Sequence, residues 1–142
     1  MRRTRPAKDP SPEAAAARAA EEERARRVEV EFLEAVRGRL PTHGAVIETL
    51  GCLYTEMGRY QDGLRADRQM VQMAPHSPIA WYNLACSLSL TDQADDAFAA
   101  LERAIALGYD DAEWMQEDGD FAPIRSDPRF ARLLAQLLSR QA

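Results

Sequence analysis

The amino-acid sequence matches itself when it is shifted by 34 residues, and this offset restricts the fold more than any other feature. In both aligned windows, 42–75 and 76–109, a bulky apolar residue is followed three positions later by Leu and four positions later by Gly or Ala. These spacings lie on one face of an α-helix. A repeat of this length is typical of stacked helical hairpins. The aligned pairs are Leu50/Leu84, Cys52/Cys86, Asp62/Asp96, Gly63/Ala97 and Ala66/Ala100.

The recurring residues resemble the tetratricopeptide repeat family, whose unit runs W-x2-L-G-x2-Y, then A-x3-F, then A and P. The resemblance implies an all-α fold, namely a short α-solenoid of antiparallel helix hairpins in a TPR-like superhelix with capping helices. The matching residues are Leu50, Gly51, Tyr54, Tyr60 and Pro75 in the first window, and Trp81, Leu84, Ala85, Leu88, Ala97, Leu101 and Ala104 in the second.

The chain is expected to form six consecutive segments. Three prolines favour disorder at the N-terminus, and the following run of Ala, Glu and Arg predicts a helix without an apolar stripe. Pro41 lies 34 residues before Pro75, so the helix that it ends stays in phase with the repeats. The segments are a disordered arm at 1–12, a charged helical extension at 13–27, a half-repeat helix at 28–41, complete repeats at 42–75 and 76–109, and capping helices at 110–142.

The segment beyond Tyr109 carries a different motif, D-x-D-x-x-P-x-R-x-D-P-R-F-x-x-L-L. It resembles the extension that follows the last repeat in many bacterial tetratricopeptide repeat proteins. Such an extension is expected to cap the solenoid, because an open end would expose apolar surface. The matching residues are Asp118, Asp120, Pro123, Arg125, Asp127, Pro128, Arg129, Phe130, Leu133 and Leu134.

Asp67 departs from the family pattern, which usually has a large apolar residue at that place. An unpaired buried carboxylate is costly. We therefore expect Asp67 to pair with an Arg or to lie at the rim of the fold, as a structural residue; a functional carboxylate is the alternative.

The charge distribution argues against several classes of partner. Residues 1–40 hold 10 basic and 8 acidic residues, whereas the rest of the chain holds 8 and 15, so the body is acidic. Nucleic acid is not expected, because phosphate binding needs a basic face. No stretch is apolar enough for a membrane span, and the N-terminus lacks the pattern of a signal peptide. These features predict a cytoplasmic protein with both cysteines reduced.

Residues that carry catalytic or metal chemistry are few. His43 and His76 lie in inter-repeat turns, and Cys52 and Cys86 lie more than two helical turns further along. No Cys–His pair is expected, and the spacings of zinc and EF-hand sites are absent. We predict no enzyme activity, no cofactor and no metal. The cysteines are interpreted as small residues in a crowded groove, with a redox-responsive pair as the alternative.

The resemblance also implies a concave groove lined by the first helix of each repeat. Asn83 is the best single contact candidate, because an Asn at that place binds an extended peptide backbone in several relatives. A clamp for a terminal carboxylate is not expected, since Glu48, Cys52 and Ile79 replace its polar residues. The predicted groove residues are Ala45, Glu48, Cys52, Thr55, Glu56, Ile79, Tyr82, Asn83, Cys86, Ser89 and Leu90.

Together these features favour a non-catalytic protein–protein interaction scaffold that binds a peptide or helix. Glu48, Glu56 and Tyr82 suit a segment with a basic residue beside an apolar one; that the two glutamates only form a solvated face is an equal alternative. A second hypothesis is a dimerising chaperone or assembly subunit that pairs through its N-terminal helix. The expected state is a monomer or a weak homodimer.

Overall fold

A computed structural model describes residues 11–142, which form seven α-helices and one 3₁₀ turn with no strand among them. The predicted all-α stack of helix hairpins is confirmed. None of these helices is long and apolar enough to cross a membrane. The elements are α1 (Pro12–Arg39), α2 (Gly44–Glu56), α3 (Tyr60–Met73), α4 (Pro78–Leu90), α5 (Ala94–Ala106), α6 (Ala112–Glu117), the 3₁₀ turn (Gly119–Phe121) and α7 (Pro128–Gln141).

Helix α1 is longer than either segment predicted for it. It runs unbroken across the expected boundary between 13–27 and 28–41. Ser11 accepts a hydrogen bond from the Ala14 N–H at 3.1 Å, and Pro12 occupies the first turn, so the helix begins inside the predicted disordered arm. The rest of that arm, residues 1–10, lies outside the described residues.

The two repeats form the expected hairpins, and local signals set their ends. Ser77 caps α4 by accepting from the Ala80 N–H at 3.2 Å. Gly58, with φ of +75°, closes the first hairpin turn, and Asp92 adopts the same left-handed region in the second with φ of +58°. The small residue at 63 is required, because a Cβ there would lie 2.9 Å from Thr55 Oγ1.

The buried apolar residues form a small and a large cluster. The small cluster holds α1 against α2 through Val30, Leu50 and Tyr54. Polar contacts support it, since Tyr54 donates to Glu34 at 2.7 Å. The large cluster joins the second repeat to the C-terminal extension and includes Phe121, which is fully buried. The extension therefore covers the end of the stack, as predicted.

Candidate functional site: the α2–α4 cavity

A cavity of about 340 Å³ opens between α2, α4 and the C-terminal extension. We call it the α2–α4 cavity. Seven of the eleven predicted groove residues line it, and the four that do not are Ala45, Glu48, Ser89 and Leu90. The seven are Cys52, Thr55, Glu56, Ile79, Tyr82, Asn83 and Cys86. The structure thus brings together most of a set that was chosen by position in the repeat.

Tyr82 lines the cavity and is only 2% exposed. Its ring stacks on Tyr109 at 4.3 Å between centroids and meets the edge of Phe121 at 5.4 Å. Its hydroxyl donates to Asp118 Oδ2 at 2.7 Å. Burial raises the pKa of Tyr82, so it remains a neutral donor. The expectation that a partner buries this ring is corrected, because the C-terminal extension already does so.

The prediction that Ser89 contacts a partner in the groove is corrected for the same reason. It is fully buried, and its hydroxyl donates to the backbone carbonyl of Asp120 at 2.8 Å. The extension therefore crosses the face of α4 as well as the end of the stack. It fills the part of the groove that the second repeat alone would leave open.

Asp118 makes several of the hydrogen bonds that hold the extension against α4. Its Oδ1 accepts the Asp120 N–H at 3.0 Å, which caps the 3₁₀ turn, while Oδ2 accepts from Tyr82. The Cys86 thiol lies 3.7 Å from the same Oδ2, and Arg125 donates to the Asp118 carbonyl at 2.5 Å. Asp118 thus links α4, the 3₁₀ turn and the loop that follows this turn.

Cys86, Asp118 and Asp120 bring one sulfur and two carboxylate oxygens within 4.8 Å of one another. The set does not suit the usual ions. Calcium takes six or more oxygens, and structural zinc takes four ligands. Both Asp118 oxygens already accept hydrogen bonds. The cluster is therefore explained by its hydrogen bonds.

Asp67 lies between the two repeats at the floor of the cavity. It is 5% exposed, and within residues 11–142 no arginine pairs with it, so the expected Arg partner or rim position is wrong. Instead, Ser87 Oγ donates to Asp67 Oδ2 at 2.5 Å. Burial raises the pKa of Asp67 to about 6, and the Ser87 hydrogen bond opposes that rise. The carboxylate is thus mostly ionised at neutral pH.

The cysteines are free, with Cys52 exposed and Cys86 buried. Burial is the main cause that raises the pKa of each thiol, and Asp67 adds to the rise at Cys52 as Asp118 does at Cys86. A thiolate nucleophile is therefore disfavoured at neutral pH. No histidine is among the described residues that line the cavity.

The walls of the cavity are acidic and its rim is partly apolar. Four carboxylates line it, and within residues 11–142 no basic side chain does. Ile79 and Trp114 are 47% and 54% exposed beside them. Arg26 approaches Glu56 from outside at 3.3 Å and offsets one charge. The four acidic residues are Glu56, Asp67, Asp118 and Asp120.

The sequence did not identify Asp67, Asp118, Asp120 and Trp114 as lining residues. Asp67 was expected to be structural, and Asp118 and Asp120 were assigned only to the motif of the C-terminal extension. A signal existed for Trp114, which is a large apolar residue beside the buried pair Ala112 and Met115 in a short acidic helix. Asn83 was identified, and within residues 11–142 its amide makes no hydrogen bond, so it is open to a ligand.

Comparison with solved structures gives similar folds. The crystal structure of MamA has a TM-score of 0.64 at 22% identity, over 78% of this chain and 65% of that one. MamA RS-1 ArsTM double mutant gives 0.64 at 21%, over 89% and 71%, and MamA MSR-1 C2 gives 0.63 at 18%, over 87% and 74%. The fold is a TPR-like helical solenoid. At these identities the likeness concerns the fold alone.

Sequence comparison adds a distant relative. No protein-family model matches the chain. A chloroplastic protein of Arabidopsis thaliana is 29% identical over 89 residues, which is 61% of this chain. The chain spans 27% of the length of that protein and 65% of the first MamA chain.

Proposed function

We propose that the protein is a non-catalytic interaction scaffold whose α2–α4 cavity binds a peptide segment with a basic side chain beside an apolar one. The acidic, arginine-free lining of the cavity next to exposed Ile79 and Trp114 carries this proposal. Charge complementarity selects the basic side chain, and burial of the rim residues favours the apolar one. The raised thiol pKa values support a non-catalytic role.

Asp67 is the residue best placed to receive the basic side chain. Its Oδ2 accepts from Ser87, whereas its Oδ1 has no donor within residues 11–142. No fully buried side-chain oxygen lacks a partner in that part of the chain, so Oδ1 retains contact with solvent. An ionised carboxylate with one free oxygen favours a charged donor, because such hydrogen bonds are about twice as strong as neutral ones.

Asn83 supplies the second anchor. Its side-chain amide has a free donor and a free acceptor, which is what the backbone of an extended peptide requires. Ile79 lies one helical turn earlier on the same helix and offers the apolar contact. Glu48 does not line the cavity, so its predicted contact requires a segment that extends along α2.

A randomised peptide library displayed on phage and selected on the full chain tests the proposal. Recovered peptides are expected to be enriched in Arg or Lys next to Leu, Ile or Phe. Enrichment in acidic peptides, or none at all, would contradict the basic partner. The selected consensus peptide then serves as the ligand for titration calorimetry.

Three variants locate the binding face. Asp67→Asn is expected to weaken the peptide about tenfold or more, since a charge-assisted hydrogen bond contributes about 1.5–3 kcal/mol. Asn83→Ala and Ile79→Ser should each weaken it about threefold to tenfold. Glu102→Gln, an exposed carboxylate on α5, is the matched control and should leave affinity unchanged. Equal affinity in all four proteins would place binding elsewhere.

A further inference from the structure

Helix α1 has two faces, and only one of them contacts the body. Val30 is buried against α2, and Leu33 packs beside it. On the other side, Val28 and Phe32 are each 66% exposed, the largest exposures among the bulky apolar residues of 11–142. Two exposed bulky apolar residues one helical turn apart form an apolar patch. Such a patch on a protein surface indicates an interaction site.

The exposed residues belong to a regular seam. Six positions of α1 follow alternating steps of four and three, which is the spacing of core positions in a coiled coil. They lie about 150° around the helix from the face that docks on α2, at about 100° per residue. All six are exposed. The seam consists of Glu21, Ala25, Val28, Phe32, Ala35 and Arg39.

The seam is complementary to itself when it is read backwards. If two copies lie antiparallel about Val30, Glu21 of each faces Arg39 of the other. Ala25 then faces Ala35, and Val28 faces Phe32. A parallel pair would instead place Glu21 on Glu21 and Arg39 on Arg39, with like charges at both ends. The order of residues therefore selects the antiparallel arrangement.

We propose that this seam binds a second copy of the chain, so that two α1 helices pair antiparallel about a twofold axis. Such an interface is isologous, and one patch serves both partners. A hollow of about 280 Å³, lined by Phe32, Ala35, Val36 and Arg39, lies at the level where Ala25 of the second copy enters. The Ala layers allow the axes to approach to about 8 Å. This goes beyond the proposed cavity function and does not depend on it.

Two features keep the pairing weak. The seam is about 27 Å long at 1.5 Å per residue, so the buried area falls at the low end for specific complexes. Glu29 and Glu31 flank the centre of the seam on opposite sides. Across the twofold axis, each approaches the same glutamate of the second copy, so like charges face each other. Assembly is therefore expected to depend on concentration.

Sedimentation equilibrium of the full chain, from about 1 µM to 1 mM, is the first test. The wild type should shift from monomer to dimer, and Val28→Ser with Phe32→Ser should raise the dissociation constant at least about tenfold. Leu138→Ser, which changes a 50% exposed residue on α7, is the control and should behave as wild type. A monomer throughout, or a dimer that the double substitution leaves intact, would overturn the proposal.

Charge reversal tests the antiparallel order. Glu21→Arg alone and Arg39→Glu alone should each weaken the dimer about fivefold, because each replaces both end pairs with like charges. The double variant restores opposite charges across the interface and should recover most of the affinity. Failure of the double variant to recover, with helicity unchanged by circular dichroism, would exclude the proposed pairing.

Disulfide trapping tests the register. On a Cys52→Ala background, chains with Ala25→Cys and chains with Ala35→Cys are oxidised separately and as a mixture. The antiparallel seam predicts that the mixture forms a heterodisulfide faster than either chain forms a homodisulfide. Rapid homodisulfide formation by the separate chains indicates a parallel seam and contradicts the proposal.

Discussion

The two ends of the helical stack differ in what covers their apolar surface. At the C-terminal end, a cluster of nineteen buried apolar residues contains eighteen from the second repeat and the extension together with Leu64 of α3, whereas the cluster that joins α1 to α2 has five within residues 11–142. The extension closes its end and continues across α4, where it buries Tyr82 and Ser89. At the other end Val28 and Phe32 remain exposed. One end is covered by its own chain, and the other leaves bulky apolar side chains exposed within residues 11–142.

The difference also determines the chemistry of the cavity. The extension contacts Tyr82 and Ser89 of α4 and brings Asp118, Asp120 and Trp114 into the lining. The acidic character therefore comes from residues outside the repeats as much as from within them. A cap in a short solenoid can thus contribute directly to the lining of a cavity between the repeats.

The largest expected effect compares two phenylalanines, one at each end. Phe121→Ala should lower the free energy of unfolding by about 3–5 kcal/mol, because the side chain is fully buried. Phe32→Ala, at 66% exposure, should change it by less than about 0.5 kcal/mol. Urea denaturation at low protein concentration measures both. Similar losses at the two positions would refute the contrast between a closed and an open end.

The next effect concerns pH at the junction of the repeats. The pKa of Asp67 is raised from 3.8 to about 6 in the folded protein. Between these values the folded state binds the proton and the unfolded state has lost it, so the stabilising contribution falls as pH rises. The free energy of unfolding should drop by about 2–3 kcal/mol between pH 4 and 7.5, relative to Asp67→Asn.

Urea titrations of the wild type and of Asp67→Asn at several pH values provide the measurement. The two proteins should be similar near pH 4, and the Asn variant should be the more stable one at pH 7.5. Subtracting the free energy of unfolding of the variant from that of the wild type at each pH removes the contribution of the other carboxylates. A difference that stays constant with pH would mean that Asp67 does not titrate in this window.

A smaller effect separates two helical glycines. A Cβ on Gly51 would lie 2.9 Å from Asp67 Oδ1, whereas a Cβ on Gly38 meets nothing within 4 Å. Gly51→Ala should destabilise the protein by about 1–2 kcal/mol, because Asp67 must move away from Ser87. Gly38→Ala should stabilise it by up to about 1 kcal/mol through helix propensity. Thermal unfolding compares the two, and equal shifts in Tm would contradict the close approach.

The smallest effect is that of the Arg26–Glu56 ion pair, which links α1 to α2 at 3.3 Å. Both side chains are more than one third exposed, so the pair should contribute less than about 0.5 kcal/mol. A double-mutant cycle with Arg26→Ala and Glu56→Ala measures the coupling. A value near 2 kcal/mol would contradict a weak pair that solvent screens.

The sequence predicted the elements well where the signals are local. Helices α4 and α7 each begin at a capping residue followed by proline, namely Ser77–Pro78 and Asp127–Pro128, and such signals act within a few residues. Burial of Tyr82 was missed, since its hydroxyl partner Asp118 lies 36 residues further along. The 34-residue offset carries no information about a segment outside the repeats. Asp67 was misplaced for a related reason, because a buried hydroxyl replaced the expected arginine.

The Asp67–Ser87 hydrogen bond makes the two repeats non-interchangeable modules. Thirty-four residues after Asp67 stands Leu101, and thirty-four before Ser87 stands Leu53. If the first repeat were followed by a copy of itself, Asp67 would face the equivalent of Leu53 and lose its donor. If the second were followed by its own copy, Leu101 would face a hydroxyl. The chain can therefore be lengthened by design only outside this junction, or by replacing the Asp67–Ser87 pair together with the space that Gly51 leaves for it.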